Sequence, residues 1–505
     1  KQYPKVIASG EEALKDPNLR NRTEIRQLTG QAYFSLGEYE KALPHLEYYE
    51  SKTEKLTVEE FFQLGFTHYQ LKKYPGAIKN FLELNLLENK LGQQVNYYLA
   101  DSYYRTGDKV SARSAFRKVS QMDFVPSLRD EAAFNYAKLS AESGYEREAI
   151  STLLRIEASS PYYAESQSIM NDLLAATSDY EYAMTVIEGM KNPGEKVKNT
   201  HQLAGLNYGI LHLKNARTDD AMKAFDRSTK FGTNKSATAQ AKYWTACILQ
   251  DKGDFKRSIT VMEEFLSLAN GQSGLPASSS AVMGHYTQAY NYLAVKDYKN
   301  AEKSFKNALV GLNTGSKEIK DKKILEKVWP DAMVRTGDCL FKSRKYKDAL
   351  TYYNQAIDRK QGSLAYATFQ KGIIEGLLGE PYEKILTLKE VLKYGPSEYA
   401  DDALQQLGET YLELENTDNS YSSFLELTNK YPNSPLRNGA LIKLGLIAYN
   451  KGDMNTAISH YKAVFQNKPA AREAESALLG LQEIYINDLG KSEEYVELVS
   501  NLPGY

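Results

Sequence analysis

Small side chains and apolar or aromatic side chains recur along the chain at fixed intervals, and those intervals predict its elements. The strings GQAYFSLGEYEKALPHL (30–46), GFTHYQLKKYPGAIKNF (65–81), ADSYYRTGDKVSARSAF (100–116) and AKLSAESGYEREAISTL (137–153) share one pattern. A small residue opens it, an apolar or aromatic position follows, and a Gly or polar break comes next. A second small residue stands twelve positions after the first, with an apolar residue four beyond that. Each unit reads as a helix, a tight turn and a second helix, and a period of this length signals a repeat array.

The small residue of the second helix can be followed as Ala42, Ala77, Ala112, Ala149, Ala183, Ala221, Ser258, Ala301, Ala349, Ser420 and Ala457, with Lys384 in a degenerate copy. Three residues before it stands an aromatic in several copies (Tyr39, Tyr74, Tyr180, Phe255, Tyr298, Tyr346). Four after it stands another (Phe81, Phe116, Phe225, Phe305, Tyr353, Phe424, Tyr461). The small side chain lets two helices approach closely while the aromatics fill the space toward the next pair. Gly37, Gly107, Gly144, Gly253 and Gly452 fall where the first helix must end, and Pro161, Pro396, Pro432 and Pro469 near the end of the second.

Three places depart from the period. Residues 270–280, NGQSGLPASSS, predict an exposed loop that divides an N-terminal array (1–269) from a C-terminal one (281–505). Near 316–329, Ile319, Ile324, Leu325 and Val328 predict a short additional amphipathic helix that ends before Pro330, with Pro330 opening the following repeat. At the start, Tyr3, Val6, Ile7 and Ala13 match a second helix closed by Pro17, so the expectation is that the chain is part of a longer array.

Composition narrows the function. The chain has 505 residues, 42% hydrophobic and 25% charged, enough apolar surface for a folded core. With 63 Lys and Arg against 64 Asp and Glu it carries no net field that would draw it to nucleic acid or an anionic membrane. The six histidines fall in different repeats without a metal-ligand spacing, so no metal and no cofactor is expected. Gly271, Ser273 and Gly274 form an incomplete nucleophile elbow, and Gly315, Ser316 and Lys317 do not make a phosphate loop. Cys247 and Cys339 lie two repeats apart, beyond disulfide reach, and are expected to be buried free thiols. The sequence therefore points away from an enzyme.

The repeated pattern resembles the tetratricopeptide repeat, in about twelve copies over essentially the whole chain. The resemblance implies an all-α right-handed superhelix whose concave surface is lined by the first helices. In copies two to four, the matching positions are Phe62, Phe66, Tyr69, Tyr97, Asp101, Tyr104, Arg105, Phe134 and Lys138; Tyr243, Tyr286, Tyr290 and Phe341 form a second group. Aromatic anchors beside a few charges suit a protein or peptide partner. The Lys and Asn clamp of chaperone-binding members is not matched in these copies.

Residues 430–481 and 395–414, with the form YP-x-S followed by A-L-x-x-L-G, are similar to repeat proteins of the bacterial periplasm, including the Tol-Pal-associated coordinator. The 38 tyrosines and the segments QMDF and RTGDCLF resemble large outer-membrane or periplasmic members from Bacteroidetes. The expected function is thus a non-catalytic protein-binding scaffold of the bacterial envelope, periplasmic or associated with the outer membrane through its partners. Two alternatives stay open: a glycan-capturing nutrient-uptake lipoprotein, and the targeting arm of an enzyme whose catalytic domain lies outside the chain. With two Trp and short connections, the sequence is a poor fit to the glycan reading.

Overall fold

The protein is described by a computed structural model covering residues 2–270, 272, 274–313, 322–360, 363–395, 398–466 and 468–502. Among the described residues the regular structure is helical throughout, with 27 α-helices and no strand. The chain forms two compact units, residues 1–214 with 230–233, and residues 215–229 with 234–505. The units divide after Lys214, and the 270–280 connection expected to separate two arrays lies inside the second unit.

Within the first unit, helix Tyr3–Ala13 is followed by four antiparallel pairs: Arg22–Ser35 with Tyr39–Glu50, Val58–Gln70 with Tyr74–Leu82, Lys90–Arg105 with Lys109–Ser120, and Pro126–Glu142 with Glu146–Leu153. Helices Tyr163–Ala176, Tyr180–Glu188 and Glu195–Lys214 follow, with Tyr180–Glu188 packed on Glu195–Lys214. The second unit opens with Thr218–Ser228 and continues through six pairs. These are Lys235–Asp251 with Phe255–Ala269, Ala281–Ala294 with Tyr298–Asn313, Lys322–Lys342 with Tyr346–Asp358, Leu364–Leu377 with Pro381–Lys393, Ala400–Glu413 with Thr417–Lys430, and Arg437–Asn450 with Met454–Phe465. Helices Ala471–Gln482 and Ser492–Ser500, joined by a π turn at Glu483–Asp488, follow them.

Each pair is held by one close approach. All the small residues predicted on the second helices, from Ala42 to Ala457, have no exposed surface. The residue sixteen positions after the small residue of the first helix lies against that residue. A Cβ built on Gly65, Gly337, Gly408 or Gly445 would come within 2.9 Å of the ring of Phe81, Tyr353, Phe424 or Tyr461. Where serine replaces alanine on the second helix, its hydroxyl uses the same proximity. Ser258 Oγ donates to the Ala246 carbonyl at 2.7 Å and Ser420 Oγ to the Gly408 carbonyl at 2.8 Å. In the degenerate copy Lys384 runs out from between the helices to Gln406 Oε1 at 2.9 Å, and burial holds its ammonium below the usual lysine range.

The turn inside the pairs is nearly as regular. Five residues before the buried small residue, or before Lys384 in the degenerate copy, the backbone turns left-handed, at the five predicted glycines and at Gly379, but also at Lys72, Ala216, Lys296, Arg344 and Glu415; Ser178, before Ala183, is the exception. The next amide donates back to the first helix, as Asp108 N does to the Tyr103 carbonyl at 2.9 Å. That next residue is often an Asp or Asn whose side chain caps the second helix: Asp108, Asp179, Asp254, Asn416 and Asp453 each accept from the amide three residues on. The predicted aromatic then occupies the first helical position.

The core is a series of separate clusters. One gathers Ala77, Phe81, Leu84, Val95 and Leu99, and another Ala149, Ile150, Leu153, Met170, Ala183 and Ile187. Cys339 is fully buried and Cys247 partly so; both are free, and burial pushes each thiol up to about 12.

Two expected irregularities take a different form. The 270–280 connection is not exposed throughout. It closes in a 3-10 turn at Ala277–Ser279, Ser279 and Ser280 are buried, and Ser280 caps the next helix at its Met283 amide. Nor does Pro330 start a new element: it lies inside the single helix Lys322–Lys342, whose early turns bury Val328 and Trp329. A proline removes one amide donor but is accommodated when apolar burial on both sides repays the lost bond. Ile319, Gly271, Ser273, Gly315, Ser316, Lys317 and Pro396 lie outside the described residues.

The close approach gives a paired test within one helix. Gly445→Ala is expected to destabilise by about 1 kcal/mol, because displacing the Tyr461 ring costs ~1–3 kcal/mol against a helix-propensity gain of ~1 kcal/mol. A Cβ at Gly439 meets open space, so Gly439→Ala should be neutral or stabilising. Urea midpoints of the two variants give the comparison, and equal shifts would contradict the packing account. A second expectation concerns pH. Burial lowers the pKa of His45, His68, His285 and His460. Their neutral form is favoured in the folded state, so stability is fully present above the unfolded histidine value of about 6.5 and falls as pH drops below it. The thermal midpoint should therefore decrease between pH 7.5 and pH 5.5, and an unchanged midpoint would show that these rings accept protons freely.

Candidate functional site

Three successive first helices carry the predicted residues. Helix Val58–Gln70 starts at a capping box, in which the Glu60 amide donates to Thr57 Oγ1 at 3.4 Å and the Thr57 amide to the Glu60 carboxylate at 2.8 Å. Helix Lys90–Arg105 is capped by Asn89, and Pro126 opens helix Pro126–Glu142. On the first of these, Phe62, Phe66 and Tyr69 share a face through their spacing of four and three; Tyr97, Asp101, Tyr104 and Arg105 do so on the second.

Phe66 is the centre of a chain of rings. It stacks on Phe62 at 5.6 Å and on Tyr69 at 6.2 Å, and meets Phe34 and Tyr98 edge-on at 6.1 and 5.0 Å. Tyr98 continues the chain to Tyr69 at 4.9 Å and to Tyr97 at 5.7 Å, and Tyr97 reaches Phe116 at 6.1 Å. Rings from three adjacent pairs are thereby in contact, with Phe62, Phe66, Tyr69 and Tyr97 half-buried.

Two of these tyrosines also bond to the next first helix. Tyr69 OH donates to Asp101 Oδ2 at 2.8 Å, and Tyr97 OH to Glu131 Oε1 at 2.6 Å. Burial, and then the carboxylate, raise both phenol pKa values well above the ordinary tyrosine range, so the hydroxyls stay donors at any physiological pH. Arg105 Nε contacts Asp101 at 3.4 Å and remains exposed.

The remaining predicted residues are placed differently. Tyr104 is 47% exposed, and its ring joins none of the ring pairs among the described residues. Phe134 is only 4% exposed and stacks on Tyr162 at 5.2 Å. Lys138 lies over the Phe134 ring at 5.1 Å, with Glu165 at 3.7 Å. Tyr98, Glu131 and Phe34 were not anticipated as members. Tyr98 follows Tyr97 directly and reads as core, whereas Glu131 had a visible signal: like Asp101 after Tyr69, it is an acid about one repeat after its tyrosine.

In the second unit, the other predicted group separates. Tyr243, at 4% exposure, is a core residue against Phe265 and not part of a surface. Tyr286 donates to Asp331 Oδ2 at 2.7 Å, and Tyr290 donates to the same oxygen. Arg335 bridges Asp331 at 3.4 Å to Asp338 at 2.8 Å, and Asp338 accepts from Tyr353 at 2.6 Å and Tyr366 at 2.9 Å. Phe341 packs on Tyr346. Phenol-to-carboxylate bonds between helices thus occur in both units. Among the described residues no group of three or more His, Cys, Asp or Glu is arranged to hold a metal ion, and no helix is long and apolar enough to cross a membrane.

Sequence models of the tetratricopeptide repeat match residues 94–121 and 402–434, and a further one matches residues 286–363. No curated protein matches. Among solved structures, YrrB, described as a TPR protein with an unusual peptide-binding site, is 22% identical, with 43% of this chain and 98% of YrrB covered and a TM-score of 0.33. Yeast Tom70 is 13% identical, with 95% and 99% covered and a TM-score of 0.32. A tetratricopeptide repeat protein from Parabacteroides merdae is 10% identical, with 55% and 98% covered and a TM-score of 0.34. The matched segments fall on helix pairs of the same form as their neighbours, so the chain carries tetratricopeptide repeats at residues 94–121, 286–363 and 402–434.

Proposed function

We propose that the chain is a scaffold of the bacterial cell envelope that binds extended or helical peptide segments of protein partners, with its most concentrated site on the first helices between Phe62 and Lys138. Protein interaction is the role of tetratricopeptide arrays generally and of this chain at that level. The observation that carries the finer reading is the chain of half-buried rings from Phe62 to Tyr97, held by Tyr69–Asp101 and Tyr97–Glu131. Rings fixed by such bonds need little ordering when a ligand arrives, and preorganisation of this kind converts contact area into affinity. Tyr104 and Arg105 add exposed contact beside the fixed rings. The glycan reading has less support, because Trp329 is buried and Trp244 packs on Tyr243 beside the core, leaving neither indole as an open platform. The envelope setting draws on the resemblance of residues 395–414 and 430–481 to periplasmic repeats.

Peptides selected against the whole chain from a display library test the site. Their affinity for Phe62→Ala with Tyr104→Ala, measured by fluorescence polarisation, should fall by about 1–3 kcal/mol, the range of interface anchors. Circular dichroism should show the helical signal retained, since Tyr104 supports no neighbouring ring and Phe62 is half-buried and stacks on Phe66 at the end of the ring chain. Undiminished affinity in the folded double variant would reject this surface. For the setting, fractionation of the source cells is expected to place the protein with the envelope, and recovery in the cytosol alone would reject that part of the proposal.

A further inference from the structure

A polar cleft of about 360 Å³ opens between helices Lys109–Ser120, Pro126–Glu142 and Glu146–Leu153 in the first unit. Arg117, Arg129 and Arg155 line it, together with Asp130, Glu148 and Glu157. At 100° per residue, Arg129, Ala133 and Tyr136 lie on the opposite side of helix Pro126–Glu142 from Glu131, Phe134 and Lys138. The cleft is therefore distinct from the ring-lined surface proposed for peptide binding, and nothing in that reading uses it.

Formal charges in the cleft balance, but their pairing does not. Asp130 is paired with Arg129 at 3.0 Å, and Arg129 also reaches Asp123 at 2.6 Å. Glu148 accepts from Tyr136 OH at 2.7 Å and has Arg113 at 3.9 Å. Glu157 accepts from the Ser159 hydroxyl at 3.5 Å. The hydroxyls of Ser120, Ser151 and Thr152 donate to carbonyls of their own helices. Arg117 and Arg155 are left exposed, with no ion pair among the described residues. Each guanidinium presents five fixed N–H donors and cannot lose its charge in water, and the planar fork matches two oxygens of one oxyanion.

We propose that this cleft is an oxyanion-binding site in which Arg117, on helix Lys109–Ser120, and Arg155, in the turn just after helix Glu146–Leu153, bind a phosphoryl or carboxylate group. Arg129 is held between Asp123 and Asp130, which take up its charge, and it is not free to close on the ligand. The Tyr136 side of the cleft, with its hydroxyl committed to Glu148, shapes the cavity and does not compete for the anion.

Calorimetric titration of the whole chain in low-salt buffer, with inorganic phosphate and separately with succinate, distinguishes the two sources. Saturation by phosphate alone assigns the site to phosphoryl groups, by succinate alone to carboxylates, and by both to oxyanions generally; each supports the proposal. Arg117→Gln and Arg155→Gln should each weaken binding about tenfold, the scale of one charge-assisted contact, while the exposed control Lys52→Gln leaves it unchanged. Both arginines are solvent-exposed, so the variants are expected to keep the wild-type thermal midpoint. Absence of saturation by either ion in the millimolar range, or equal affinity in the Arg117→Gln, Arg155→Gln double variant, would overturn the proposal.

Discussion

The close approach of two helices at a pair of small residues is the constraint on which the remaining structure depends. With Gly65 facing Ala77, or Gly445 facing Ala457, the backbones come near enough for the ring four residues further on to lie against the glycine. That ring then fixes the distance between helices, and the fixed distance sets where the next pair packs. The rule is strict enough that serine is accepted only with its hydroxyl bonded across the gap, as at Ser258 and Ser420. Lys384 shows the other solution, a long side chain that threads out to Gln406 while its stem stays half-buried.

This dependence explains why so much of the fold was legible in sequence. Small residues, opening aromatics and turn glycines are separated by fixed numbers of positions because the geometry between them is fixed. The features that escaped were those decided by burial instead of spacing. Pro330 carries the ordinary mark of a helix start, yet Val328 and Trp329 on its N-terminal side are buried, and the helix continues through it. Ser279 and Ser280 sit in a run that reads as exposed loop, but they are the closing turn and cap of the next helix. Left-handed residues at Lys72, Lys296 and Arg344 were equally hidden, since a lysine or arginine gives no sign that its backbone is bent as a glycine would be.

The candidate surface was legible in outline and not in its internal bonding. Helical spacing alone brings Phe62, Phe66 and Tyr69 to one face, and repeat spacing brings Tyr97 beside them. It does not reveal that Tyr98 links them, or that Phe134 is covered by Tyr162. The phenol-to-carboxylate bonds were the least visible element, because tyrosine and acid are each common and only their distance makes them a pair. Once formed, such bonds hold neighbouring first helices in register at the place where a ligand would otherwise have to do so.

The division of the core into clusters has a mechanical consequence that differs between the two units. In the first unit the clusters are small, such as the one around Phe81 and the one around Phe116, so a pulling force along it is opposed by one cluster after another and extension proceeds in steps. In the second unit one cluster runs from Ile385 to Ile484 and another from Val282 to Ile374, so several helix pairs hold or give way together. The same repeat thus yields a compliant stretch and a stiff one, according to how far the buried side chains connect beyond their own pair.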